Sequence, residues 1–173
     1  MKLRDELEPK IEIAENLFSK IMELISLYDD AYDNSNKEKM QSAIDEMNQL
    51  TNKSIVISDL FEYWEGESLE ELAFKISLPD PIKVDHISRE ELLELIRRVQ
   101  SFEDEGVSDK LMELDVPLSS VLSYSYYIPL LERNFSYSEI SGLFDRQFIN
   151  GEYIEYSTEE IADIILSHKA IQL

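Results

Sequence analysis

Apolar residues recur along the first third of the chain in alternating steps of three and four. Ile11, Ala14, Phe18, Ile21, Ile25, Tyr28 and Tyr32 form one unbroken stripe, the spacing that gathers side chains on one face of an α-helix. Asp33-Asn34-Ser35-Asn36 interrupts it with turn and capping residues. A second stripe runs through Met40, Ala43, Met47, Leu50, Ser54, Ile57, Phe61 and Trp64, with Ser54 its only polar member and Gly66 closing it. Two long helices joined by a short polar loop predict an antiparallel αα-hairpin over residues 1–66. Leu17, Met22, Leu24 and Leu27 widen the first stripe beyond a two-stranded coiled-coil seam. The pattern therefore predicts a hairpin packed on the rest of its own chain.

Residues 67–173 read as shorter helices. Ser68 caps a brief one through Leu69, Leu72 and Phe74, and Leu78-Pro79-Asp80-Pro81 is an extended break. Ser88 and Glu91 form a capping box ahead of Leu92, Leu95, Ile96 and Val99, with Gly106 ending that segment. Ser108 caps a short turn before Pro117, which opens the segment Leu118–Leu131, and Pro129 is expected to kink that segment or end it early. Ser138 precedes a helix through Ile140, Leu143 and Phe144. Around Asn150-Gly151, which suits a type I′ turn, the chain reads as a small β-hairpin near 147–156. Ser157 or Thr158 then caps a last helix carrying Ile161, Ile164 and Ile165. The expected fold is mainly α and a single domain, 1–173, with the N-terminal hairpin packed on a bundle of shorter helices. Four Gly and five Pro leave few tight β-turns, and nine Tyr, seven Phe and one Trp supply a core.

Charge gives the pattern a direction. Sixteen Lys and Arg stand against 37 Asp and Glu, a formal net of −21 on 173 residues, where a small domain is comfortable at a magnitude of roughly 2–8. Folding does not require that self-repulsion, and a basic partner is the simplest reason to keep it. The acidity is distributed, with residues 1–67 at net −9 and residues 68–173 at net −12. The same sign repels a nucleic-acid backbone and an anionic membrane surface. The start, Met1-Lys2-Leu3-Arg4-Asp5, lacks the apolar stretch of a signal peptide. No run approaches the ~18 apolar residues of a membrane span, and the absence of Cys suits a reducing compartment. The expectation is a cytoplasmic protein that touches neither nucleic acid nor membrane.

Catalytic chemistry finds no template. There is no phosphate-cradling Gly-rich loop, no Gly-Lys-Ser/Thr and no nucleophile elbow; the glycines are scattered at Gly66, Gly106, Gly142 and Gly151. His86 follows Asp85 in a loop, and His168 sits in the last turn of the final helix, where a cation complements the helix dipole. Glu70-Glu71, Glu90-Glu91 and Glu159-Glu160 read as solvated helix starts. The segment around Asp29-Asp30 and Asp33 lacks the Gly and terminal Glu of a calcium loop. The reading is a non-enzyme with no cofactor and no metal.

Two windows contain no basic residue. From Ser54 to Phe74 the acids include Glu62, Glu65, Glu67 and Glu70 beside Tyr63 and Trp64. From Gln147 to His168 they include Glu152 and Glu155 beside Tyr153 and Tyr156. A third cluster, Glu103-Asp104-Glu105, precedes Gly106. Acids steer a basic partner and aromatics supply desolvated anchors, so Glu62, Glu65, Glu67, Glu70, Glu103, Asp104, Glu105, Glu152, Tyr153 and Glu155 are the candidate partner-binding set. Trp64, on the stripe, is expected in the core. Tyr153 is open between core and surface, and at least one of Tyr124, Tyr126 and Tyr127 should face solvent.

In these class features (the charge of −21, the helical design, the acidic–aromatic windows at Asp59–Glu71 and Glu152–Asp163) the chain resembles the immunity proteins of bacterial toxin systems, including contact-dependent and polymorphic toxins. The resemblance implies tight one-to-one binding to a cognate toxin domain, often a nuclease, whose Lys/Arg-rich cleft an acidic surface occludes or docks beside. Two alternatives remain open on the residues. One is a nucleic-acid mimic of the anti-restriction or anti-CRISPR kind, with a regular carboxylate array along the long hairpin. The other is a helical adaptor whose stripes pair between copies. The chain is expected to be a monomer or weak dimer.

Overall fold

The first stripe folds as helix α1, Ile11–Asp33, in a computed structural model that describes residues 1–101, 118–149 and 151–169. Ala14, Phe18, Ile21, Ile25 and Tyr28 are buried as the spacing predicts; Leu24 joins them, while Leu27 faces solvent. The helix closes in a Schellman turn. The Asn36 N–H reaches the Ala31 carbonyl (2.8 Å) and the Ser35 N–H the Tyr32 carbonyl (2.9 Å), with Ser35 at a left-handed φ of 54°. The Asn36 side chain accepts a hydrogen bond from the Lys39 N–H and opens α2, Lys37–Thr51. This short connection folds α2 back along α1, and Met40, Ala43, Ile44 and Met47 close the shared core.

The second helix does not run to Trp64. It stops at Thr51, with Asn52 left-handed at φ 55°. Asn48 then holds the chain extended. Its side-chain carbonyl accepts from the Ile55 N–H (2.7 Å) and its amide donates to the Ile55 carbonyl (2.9 Å). Asn52-Lys53-Ser54 is a poor helical run, and once the period is broken the heptad phase is lost. Ile55 and Leu60, off the stripe, are buried; Leu50, Ile57, Phe61 and Trp64, on it, are exposed. A four-residue helix α3, Ile57–Leu60, and a 3₁₀ turn, Tyr63–Glu65, lead to Gly66. Helix α4, Leu69–Ser77, follows. It is opened by the expected Ser68 cap, reciprocated by Glu71, and it packs on α1. Lys10–Pro79 belong to one compact unit.

A second compact unit holds Met1–Pro9 with residues 80–101 and 118–169. The Ser88–Glu91 box opens α5, Arg89–Gln100, as predicted. Its Glu94 is only 6% exposed and accepts from Arg97 (2.9 and 3.1 Å) and Arg98 (3.0 Å). Arg98 in turn grips Glu8 with both terminal nitrogens (2.6 and 3.1 Å) and donates to the Tyr127 hydroxyl. The arginine bonds, led by Arg97 and opposed by burial, pull the Glu94 carboxyl down to about 2.

Helix α6, Leu118–Leu122, passes through a π turn, Ser123–Tyr127, into α7, Ile128–Asn134. Pro129 therefore does not end the helix. The widened turn sits directly before it, where the regular ladder loses the proline donor. Asn134 ties down the stretch after Pro81, accepting from the Val84 N–H (2.8 Å) and donating to the Ile82 carbonyl (3.1 Å). The helix expected after Ser138 is only a 3₁₀ turn, Ser141–Phe144, too short to carry a regular apolar face.

The predicted hairpin forms. Strand β1, Gln147–Ile149, pairs antiparallel with β2, Glu152–Ile154, in the register Phe148 opposite Tyr153, and Gly151 takes the positive φ of 89° that the turn needs. Ser157, rather than Thr158, caps α8, Thr158–Lys169: its hydroxyl and N–H pair with Glu160, while the Thr158 hydroxyl donates to Gln100. Helix α8 packs on α5. The expectations for Gly106, Ser108, Pro117 and Asn150 lie outside the described residues. No helix among the described residues is long and apolar enough to cross a membrane.

Candidate partner-binding surface

The break after α2 turns what reads as core into surface. Tyr32, near the end of α1, meets the Phe61 ring at 6.0 Å and 71° and the Trp64 ring at 5.8 Å and 64°. Tyr63 packs edge-on against Trp64 at 5.5 Å. Such edge-to-face contacts fix the rings without burying them. Phe61 remains 51% and Trp64 50% exposed, and Val56 and Ile57 extend the same open stretch. Trp64, expected in the core, is thus a surface ring.

A part-buried polar contact holds this turn to α1. The Tyr63 hydroxyl donates to Oδ2 of Asp29 at 2.7 Å. Burial raises the Asp29 carboxyl above its ordinary value, the Tyr63 bond opposes that shift, and Asp33 and Asp30 add to it. Burial likewise pushes the Tyr63 phenol up, reinforced by Asp29, Glu70 and Glu67. Asp29 Oδ1 and the Tyr28 hydroxyl are buried with no partner among the described residues.

The acids of this window divide by what they do. Glu67 is paired with Lys75 Nζ at 2.6 Å, and Lys53, the other flanking cation, reaches the Lys75 carbonyl at 2.7 Å. Glu62, left-handed at φ 53°, stands between Phe61 and Tyr63, and Glu65 follows Trp64. Glu62, Glu65 and Glu70 form no ion pair among the described residues. Electrostatically, this is a negative, aromatic surface, and the two lysines that bound its window in sequence, Lys53 and Lys75, are engaged elsewhere.

The second window lies in the other unit. Tyr153 is 74% exposed and packs across the hairpin against Phe148, the rings 4.9 Å apart and tilted by 51°. Glu152 is exposed, while Glu155 is held by Arg146 Nε at 2.7 Å. Tyr124 faces solvent, and Tyr126 and Tyr127 are buried. A cleft of about 410 Å³ lies beside the hairpin, lined in part by Gln100, Ser120, Ser123, Tyr124, Arg146 and Glu155. The Ser123 hydroxyl there donates to the Ser119 carbonyl at 2.8 Å. Glu103, Asp104 and Glu105 lie outside the described residues.

Both histidines belong to the second unit. His86 is exposed, and its carbonyl accepts a hydrogen bond from Arg4. His168 Nδ1 lies 3.0 Å from the Ile164 carbonyl, with its ring on Tyr137 at 4.6 Å, a helix-end role. No group of three His, Cys, Asp or Glu able to hold a metal ion occurs among the described residues.

Sequence reasoning assigned Tyr32, Ile57 and Phe61 to the core and so missed them as surface residues. The signal that could have found them is Ser54, the one polar member of the second stripe, beside Asn52. Comparison of the chain with family models, with curated proteins and with solved structures finds no match.

Proposed function

We propose that this chain is an inhibitory binding protein that neutralises a basic toxin, a nuclease, as its cognate immunity protein in the cytoplasm. Binding rather than catalysis is the activity, and it needs no cofactor. One observation carries the reading: Phe61 and Trp64 stand half-exposed on Tyr32, next in sequence to Glu62 and Glu65, which form no ion pair among the described residues, in a window without Lys or Arg. Partly exposed aromatics rimmed by one sign of charge suit a hot spot in which rings are desolvated while the rim steers the encounter. A net charge of −21 extends that steering over the whole molecule. It favours association approaching ~10⁸–10⁹ M⁻¹s⁻¹ at low salt, the regime a toxin-capturing protein needs.

The test uses a toxin domain encoded next to this gene in its source genome, and a neighbourhood that holds none counts against the reading. Stopped-flow association should be fast, steeply salt-dependent, and slowed at least about tenfold when Glu62 and Glu65 are reversed to Lys. Trp64→Ala should act mainly by speeding dissociation. The intact chain should abolish the toxin's nuclease activity at one-to-one stoichiometry. A neighbouring toxin domain that neither binds nor loses activity removes the immunity reading.

A further inference from the structure

We infer that the Tyr32–Phe61–Trp64 surface is an arginine-anchoring site: a partner's guanidinium lies against the open ring surface and pairs with Glu62 or Glu65. The inference rests on the reading of this chain as a binder of a basic protein and names the side chain that this surface takes.

Ring geometry comes first. Phe61 and Trp64 both meet Tyr32 steeply, at 71° and 64°, and Tyr63 braces Trp64 at 73°. Neighbours therefore hold these rings in place while about half of Phe61 and of Trp64 stays open to solvent. An open indole is the strongest of the natural cation–π acceptors. The site is preorganised, so little side-chain entropy is lost when a ligand settles on it.

Charge selects the occupant. Glu62 and Glu65 adjoin these rings in sequence and are unpaired among the described residues, whereas Lys75 and Lys53 are engaged with Glu67 and the Lys75 carbonyl. A neutral aromatic ligand would leave those carboxylates uncompensated, and an anion would be repelled. Between the two cations, arginine fits better: its planar fork stacks on a ring and meets a carboxylate with parallel N–H donors, while a lysine ammonium does one or the other. The hairpin surface, the other exposed aromatic pair, already has an arginine of its own chain beside it, Arg146 on Glu155.

The chain's single tryptophan makes the site directly observable. Titration with acetyl-tetra-arginine amide should change the emission of Trp64 saturably. Acetyl-tetra-lysine amide should require about threefold or more higher concentration. The Glu62→Gln/Glu65→Gln double variant should raise the arginine midpoint by about tenfold, the scale of one lost charge-assisted contact. Glu132→Gln, on α7, should leave it unchanged. A flat emission signal, an equal response to lysine, or a double variant that responds like the parent each overturns the arginine site. The peptide titration needs no toxin, so the two readings fail separately. A toxin domain that binds with Trp64 unperturbed overturns the anchor and leaves the inhibitor reading. An intact arginine response without toxin binding does the reverse.

Discussion

The Tyr63 hydroxyl donates a 2.7 Å hydrogen bond to Oδ2 of Asp29, joining the 3₁₀ turn that carries Trp64 to the outer end of α1. The donor and acceptor are 34 residues apart in sequence, and the contact orients the exposed ring beside it. Tyr63→Phe removes the donor and leaves the desolvated carboxylate with one partner fewer. The expected loss is about 1–2 kcal/mol in urea denaturation, together with a red-shifted Trp64 emission as the turn loosens. Unchanged emission with reduced stability would show that the bond holds the fold without placing the ring.

Asp29 should respond to pH in the opposite sense from a salt-bridged acid. Its carboxyl is raised by burial and by Asp33 and Asp30, against the Tyr63 bond. The folded state therefore carries the cost of a desolvated charge above that raised value and is relieved of it below. Asp29→Asn should stabilise the protein at neutral pH. The advantage should shrink as pH falls through the Asp29 titration, read by urea denaturation across that range.

Glu94 shows the converse. Its arginine partners bring the carboxyl from an ordinary 4.5 down to about 2, so it contributes stability above the unfolded value that is lost as pH falls from about 4.5 to about 2. Glu94→Gln should cost about 3 kcal/mol at neutral pH, since Arg97 and Arg98 lose a buried counter-charge. The gap to the parent should close below that window. A gap independent of pH would mean that packing, not charge, makes the difference.

Two left-handed residues separate stability from function. Ser35 closes the Schellman turn at φ 54°, and Glu62 sits beside Phe61 at φ 53°. Glycine meets no steric penalty in that region, so Ser35→Gly and Glu62→Gly should each raise stability by about 0.5–1 kcal/mol in thermal denaturation. Only Glu62→Gly should weaken the arginine-peptide response. Equal loss of response in both variants would place the effect on the hairpin connection instead.

The elements that local chemistry controls were legible in the chain. Ser88 with Glu91 caps the helix its spacing announces, Ser68 caps α4 as expected with Glu71 added as its partner, and Ser157 with Glu160 resolves the choice left open with Thr158, because a cap needs only a hydroxyl, a carboxylate and a three-residue step. The Asn34–Asn36 reversal and the Gly151 turn are likewise settled within a few residues. The candidate site was legible only in part. Glu62 and Glu65 were marked by charge, but Trp64, Phe61 and Tyr32 were hidden by a stripe whose periodicity persists past the end of its helix. The π turn before Pro129 was equally hidden, since composition reports a missing donor and not how the ladder accommodates it.

By itself, then, the sequence determined a mainly helical protein, the turn and caps of its N-terminal hairpin, and an acidity that favours basic partners. Those properties follow from periodicity, short-range hydrogen bonds and net charge, each readable without distant neighbours. Tertiary structure alone decided which apolar residues became surface. The Asn48 side chain clamps Ile55 across seven residues and Tyr63 closes on Asp29 across 34. Such contacts exist only once α1, α2 and the following turn have met. They shift the chain out of helical phase, burying Leu60 and leaving Phe61 and Trp64 in the open.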